Sequence, residues 1–279
     1  MKAILFVGHG SPKEKGNKET LQFIEGLKEK WNFPLIESCF LEHARPTIAE
    51  GIETCVTKGA THVALIPIMF LPAGHSKIHI PHEIDEAKKK YPSVRFTYGK
   101  PIGVHAEVVD LLADKVRKEV GIRAPENTSL VLIGRGSSEP DTNSEVYKLG
   151  RLLSEKIEHV PVEVSFIGVT VPTVEEAVER QIALGKKNVI FVPCFFFSGI
   201  LMDRVYDKVR QFQEIYPHGD FQTTSTIGFH PRLEMVLFER VQEALDGEAF
   251  LNCDMCQYRL FAVEHMEGVH HHHHHHDHS

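Results

Sequence analysis

Hydrophobic residues along the chain switch repeatedly between a run or alternation typical of strands and the three-to-four spacing of a helix face. Lys2–Gly8 reads as a buried strand, and Leu21, Ile24, Leu27 and Trp31 follow at helical spacing. Residues 34–40 read as a second strand. Pro46 then occupies a plausible first helical position, ahead of Ile48, Ile52, Cys55 and Val56 on one apolar face. Residues 62–70 and 94–98 read as further strands, and Val109, Leu112, Val116 and Val120 mark one side of a later helix. Alternation of this kind predicts an α/β fold with a mainly parallel, four-stranded sheet flanked by helices.

The pattern is written twice. VGHGS at 7–11 matches IGRGS at 133–137, and the offset of 126 residues holds for about sixty positions. Phe40, Pro46, Thr47, Gly59, Val63, Pro67 and Phe70 meet Phe166, Pro172, Thr173, Gly185, Val189, Pro193 and Phe196. After a one-residue adjustment, Ile102, Gly103 and His105 meet Ile227, Gly228 and His230. Internal repetition changes what each residue means. Two similar domains are expected at 1–121 and 122–247, joined near Arg123-Ala124-Pro125, with a tail at 248–279 that has no counterpart in the repeat.

Composition narrows the class without naming it. The 279 residues are 42% hydrophobic and 25% charged, as in a globular protein. No apolar run approaches the roughly 18 residues a membrane span needs, and no export signal is visible, so a cytoplasmic protein without a membrane partner is expected. The formal net charge of −7, with no basic run, gives no support to nucleic-acid binding. Five scattered cysteines do not make a disulfide framework.

Ligands collect at the carboxyl ends of strands in open parallel sheets, so the two copies are best compared there. The first places His9, Glu42 and His75 after its first three strands. The second has Arg135, Gly168 and Leu201 at the same offsets. Two imidazoles and a carboxylate suit a divalent transition metal, and they also suit proton transfer near neutral pH. Packing does not explain why one copy alone keeps all three.

Rival patterns are weaker. Gly8 and Gly10 begin a dinucleotide fingerprint, but Lys13 stands where its third glycine belongs. His75, His79 and His82 could line one helix as a zinc face, yet Pro81 more naturally starts that helix, leaving His75 on a loop and His79 and His82 at the surface. His105 and His230 recur in both copies and are expected to be structural.

VGHGS, FLE followed by Pro-Thr, GATHVALIP, LPAGHSK, YGKPIG, IGRGSS and IGFHP together resemble the class II sirohydrochlorin chelatases of the CbiX/SirB type, over nearly the whole chain. The resemblance implies two chelatase-like domains with the active-site cleft between them. It implies that His9 and His75 hold the metal, with Glu42 as the third catalytic residue. It also implies Co²⁺ or Fe²⁺ as substrate ion and sirohydrochlorin as its acceptor. Arg45, Lys77 and Arg135 are candidate partners for the substrate's carboxylates.

Long members of this family carry a C-terminal cysteine motif and a histidine-rich stretch. Here the motif reads LNCDMC, without Met two places before Cys253, and His270 to His276 form an unbroken run. Cys253 and Cys256 are spaced to bind an iron–sulfur cluster, which wants four thiolates. Two chains could share one, making a homodimer; Cys39, Cys55 or Cys194 could contribute; or the pair could take a single ion. The histidine run reads as native sequence that collects cobalt as neutral imidazoles, losing it below about pH 6.5. The expected function is ATP-independent insertion of Co²⁺ into sirohydrochlorin in cobalamin biosynthesis. Ferrous insertion for sirohaem is one alternative, and a non-catalytic metal store or metallochaperone is another.

Overall fold

The computed structural model describes residues 1–71, 75–122, 124–158 and 160–247, the side chains of 75 and 76 excepted. The first half runs β1 (Lys2–Gly8), α1 (Glu14–Lys30), β2 (Ile36–Phe40), α2 (Ile48–Thr57) and β3 (His62–Ile68). A π-helical turn, His75–His79, leads into α3 (Ile80–Lys90), followed by β4 (Arg95–Tyr98) and α4 (Ala106–Lys115), which ends in a second π-helical turn at Val116–Val120. The second half repeats the order as β5 (Thr128–Gly134), α5 (Pro140–Lys156), β6 (Val162–Phe166), α6 (Val174–Ala183), β7 (Asn188–Pro193), α7 (Ile200–Ile215), β8 (Asp220–Thr223) and α8 (Pro231–Asp246).

Each half forms a four-stranded parallel sheet, ordered β2-β1-β3-β4 and β6-β5-β7-β8. The strands are apolar on both faces because helices cover both: Ala3 to Val7 and Leu130 to Ile133 are buried without a break. Helices α2 and α3 cover the outer face of the first sheet, and α6 and α7 that of the second. Between the sheets lies one continuous core, built from the inner strand faces and α1, α4, α5 and α8. Ile4, Phe6 and Leu112 from the first half share it with Leu132, Leu149 and Val236 from the second.

Local signals set the helix starts. Thr47 and Thr173 each form a capping box with the glutamate three residues on, Glu50 and Glu176. Pro46 therefore lies outside α2, ahead of the cap, and not at the first helical position expected of it. His105 and His230 cap α4 and α8, their Nδ1 atoms accepting from the backbone N–H of Glu107 and Arg232 at 3.1 and 3.2 Å. That structural use explains why both copies have them. His75 opens a helical turn where a loop was expected; Pro81 lies in the first turn of α3, and the chain before it widens into the π-helical form. No helix among the described residues is long and apolar enough to cross a membrane.

Candidate active site

Parallel register brings the carboxyl ends of β1, β2 and β3 to one edge, with Gly8 level with both Phe40 and Ile68. Pairing continues past the strands: the backbone N–H of Leu41 donates to Gly8 O at 2.9 Å, and that of Glu42 to His9 O at 3.1 Å. The next residue, Gly10, has φ +86°, and a Cβ there would fall 1.7 Å from the Glu42 carbonyl oxygen. Glycine is what lets the two loops touch. Asn17 fixes the loop further, accepting from Ser11 N and donating to Ser11 O at 2.9 and 2.8 Å. Asn143 holds Ser137 in the second half with the same two distances.

Side chains meet above this backbone. His9 Nδ1 lies 3.3 Å from Glu42 Oε1, each side chain 33% exposed. His43, at φ 60°, places Nε2 3.5 Å from the same oxygen. On the other side of His9, Arg135 Nη1 lies 2.9 Å from Nε2. His9, Glu42 and Arg135 therefore line one cavity of about 790 Å³ between the halves, within the range of about 300–1,000 Å³ usual for small-molecule sites. Its floor is aromatic: Phe70 and Phe196, equivalent positions of the repeat, approach to 5.6 Å between ring centroids.

Equivalent residues touch one another, so the halves are related by an approximate two-fold axis. His9 meets Arg135, Phe70 meets Phe196, and Arg232 pairs with Glu107. Off the axis the pairs are crossed: Lys13 binds Asp203 and Lys77 binds Glu139, two equivalent contacts in which the first half supplies both cations.

Of the expected carboxylate partners, Arg135 lines the cavity, whereas Lys77 and Arg45 lie outside its lining, paired with Glu139 and Glu50. His79, expected at the surface, lines the cavity, as does Arg204. Arg204 did not stand out in the sequence, although it follows the position equivalent to Lys77 by one. The side chain of His75 lies outside the described residues. Among the described residues no three His, Cys, Asp or Glu side chains gather into a metal cage.

Cys253 and Cys256, and the histidine run, also lie outside the described residues. The three cysteines within them are buried and far from thiolate character. Burial pushes the Cys194 thiol up to about 12, and burial with the nearby Glu37 carboxylate does the same for Cys55. Cys39 is raised well above the ordinary range by burial and by Cys55. A protonated, enclosed thiol is a poor iron ligand. The alternative in which one of them contributes to a cluster finds no support.

Comparison with known proteins fits this architecture. The family model CbiX matches the chain twice, at residues 3–119 and 129–244. A sirohydrochlorin cobaltochelatase of Priestia megaterium is 50% identical over 274 residues, covering 97% of this chain and 88% of the relative. A sirohydrochlorin ferrochelatase of Bacillus subtilis (strain 168) is 38% identical over 257 residues, 92% of this chain and 97% of the relative. The solved structure of SirB from Bacillus subtilis with Fe³⁺ superposes with a TM-score of 0.79 at 38% identity, over 89% of this chain and 98% of that one.

Proposed function

The chain belongs to the CbiX family, and from that premise we propose that it is an ATP-independent sirohydrochlorin cobaltochelatase, a lyase forming nitrogen–metal bonds in cobalamin biosynthesis. The observation that carries this reading is the 50% identity, across 97% of the chain, to a relative with that activity. Cobalt is favoured over ferrous iron on the same ground, the ferrochelatase relative being 38% identical.

Insertion exchanges two ring N–H protons for one divalent ion, so the site must supply a cation on one side and proton acceptors beside it. In this reading His9 and His75 hold the incoming ion, and Glu42 accepts protons as the ring nitrogens bind the metal. The pairing of His9 Nδ1 with Glu42 at 3.3 Å supports the assignment, since a carboxylate so placed orients the imidazole and draws its proton away from Nε2. The aromatic floor offers a flat macrocycle a stacking surface, and Arg135 and Arg204 face its carboxylates. The enzyme works in the cytoplasm, with no nucleic acid or membrane as partner. A homodimer enters only through the tail, where two copies of Cys253 and Cys256 would supply the four thiolates of a shared cluster.

The test is the appearance of metallated product by absorbance, with sirohydrochlorin and Co²⁺ or Fe²⁺, for the intact chain, His9→Ala, and a chain cut before Leu251. Chelation predicts turnover that His9→Ala abolishes and truncation leaves intact, with cobalt the faster ion. A metal store predicts no acceleration over free ions and loss of metal binding only on truncation.

A further inference from the structure

Glu42 is approached by a second imidazole that the chelatase reading leaves without a task. His43 Nε2 lies 3.5 Å from Glu42 Oε1, the same oxygen that His9 Nδ1 reaches at 3.3 Å. Among the described residues, that carboxylate is the one polar contact of His43. Consecutive side chains of an extended strand point to opposite faces, so a carboxylate and the next side chain do not ordinarily converge. Here the backbone turns at His43, whose φ of 60° lies in the left-handed region. Histidine is among the residues enriched there, although any side chain in that region is strained. Val169, the counterpart 126 positions on, has no positive φ. The turn that brings a second imidazole to the carboxylate is therefore confined to the half that holds the acid–base pair.

Exposure ranks the three groups. The side chains of His9 and Glu42 are each 33% exposed and that of His43 is 48% exposed, and all three line the cavity. A macrocycle lying against His9 and Glu42 would shield them from water and leave His43 the most open of the set. Insertion frees two protons for each ion, and a carboxylate holds one. Glu42 must therefore be emptied between the two, by a base within reach that also meets solvent. An imidazole can accept a proton at one nitrogen and release one from the other. Hydrogen bonds of this kind are often long before substrate binds, and the pair at 3.5 Å is close to forming one.

Resting on the chelatase reading of this cleft, we infer that His43 is the proton exit of the reaction: it takes ring protons from Glu42 and passes them to solvent. The first ring N–H gives its proton to the Glu42 carboxylate as the nitrogen's electron pair turns to the metal. The resulting carboxylic acid protonates His43 at Nε2, and the imidazolium loses its Nδ1 proton to water or buffer. Glu42, a carboxylate again, accepts from the second N–H. Each passage leaves His43 neutral with its proton on Nε2, and exchange with solvent or a turn of the ring returns that proton to Nδ1. The sum is one divalent ion in and two protons out, with no oxidant, reductant or nucleotide consumed.

The experiment follows metallated sirohydrochlorin by absorbance with Co²⁺, using the full chain in dilute buffer, for wild type, His43→Gly and His43→Asn. Both replacements tolerate a left-handed backbone and neither carries a basic nitrogen, so the fold is kept while the exit is lost. kcat should fall about tenfold or more, with KM for the ring and for Co²⁺ unchanged. Added 2,6-lutidine is a base of imidazole-like strength whose flanking methyl groups keep it off cobalt. It should restore both variants in proportion to its concentration and leave wild type unaffected, a response that a purely structural loss would not give. The exit is overturned if the variants turn over at the wild-type rate in dilute buffer, or if they are slow and lutidine does not restore them. A wild type that forms metallated sirohydrochlorin no faster than free ions do would instead overturn the chelatase reading, and the exit with it.

Discussion

The two halves share a scaffold down to its hydrogen bonds and differ where the strands end. Asn17 and Asn143 hold equivalent serine loops with matching distances, and Thr47 and Thr173 form equivalent capping boxes. Against that sameness, His9 faces Arg135, and Glu42 has only Gly168 as its counterpart. At Gly168 a Cβ would lie 2.8 Å from the Arg135 carbonyl oxygen, so a carboxylate could not simply be restored there. Duplication with divergence at strand ends leaves the imidazole–carboxylate pair in one half and the arginine that faces it in the other, with the aromatic floor shared and the cleft belonging to neither alone.

The crossed ion pairs extend the lesson. Lys13 with Asp203 and Lys77 with Glu139 place the cations in the first half and the anions in the second. Two copies of the same half, docked in the same way, would set like charges against each other. These pairs are partly solvated and add little stability, but they favour the union of unlike halves.

The comparison can be broken hardest at the shared core. Leu132→Ala, wholly buried between the sheets, should cost about 2–5 kcal/mol, and it should lower a single melting transition for the whole chain. Two separate calorimetric transitions, only one of them shifted, would show that the halves are independent. Exchanging the axis pair, His9→Arg with Arg135→His, keeps the same two side chains but moves the imidazole to the half without Glu42. Insertion rate should fall at least about a hundredfold, and near-normal turnover would show that the asymmetry is immaterial.

Gly10→Ala pushes a methyl group into the Glu42 backbone, whereas Gly136→Ala meets Thr170 at 3.1 Å. The first should lower the rate about tenfold by displacing the carboxylate, and the second should leave the rate near wild type while lowering the melting temperature, since both glycines have positive φ. Equal losses of rate would remove the distinction between the loops. Thr47→Ala and Thr173→Ala, smallest in effect, should each destabilise by about 1 kcal/mol in chemical denaturation. A cost confined to one half would show that the caps are not equivalent in use.

Much was legible in the residues because it is local or periodic. Period-two and period-3.6 hydrophobicity located the strands and helices, and the offset of 126 exposed the duplication. The juxtaposition of His9 and Glu42 could be anticipated, since adjacent parallel strands must end at one edge. Pro46 was misplaced because Thr47 and Glu50 form the stronger helix-start signal three residues apart. The turn opening at His75 was missed because a π-helical turn has no simple periodic signature.

What the chain order left open is how the two copies face each other. A repeat written in sequence says that two units are alike, and it carries no symmetry operator. The single core between the sheets, the aromatic floor from Phe70 and Phe196, His79 at the cavity wall and Arg135 on His9 Nε2 all follow from that operator. Residues 126 apart come within hydrogen-bonding distance because burying α1, α4, α5 and α8 between two sheets removes more apolar surface from water than either half could alone. Sequence thus determined the parts and their chemistry, while packing of the two halves decided which lone pair faces which charge.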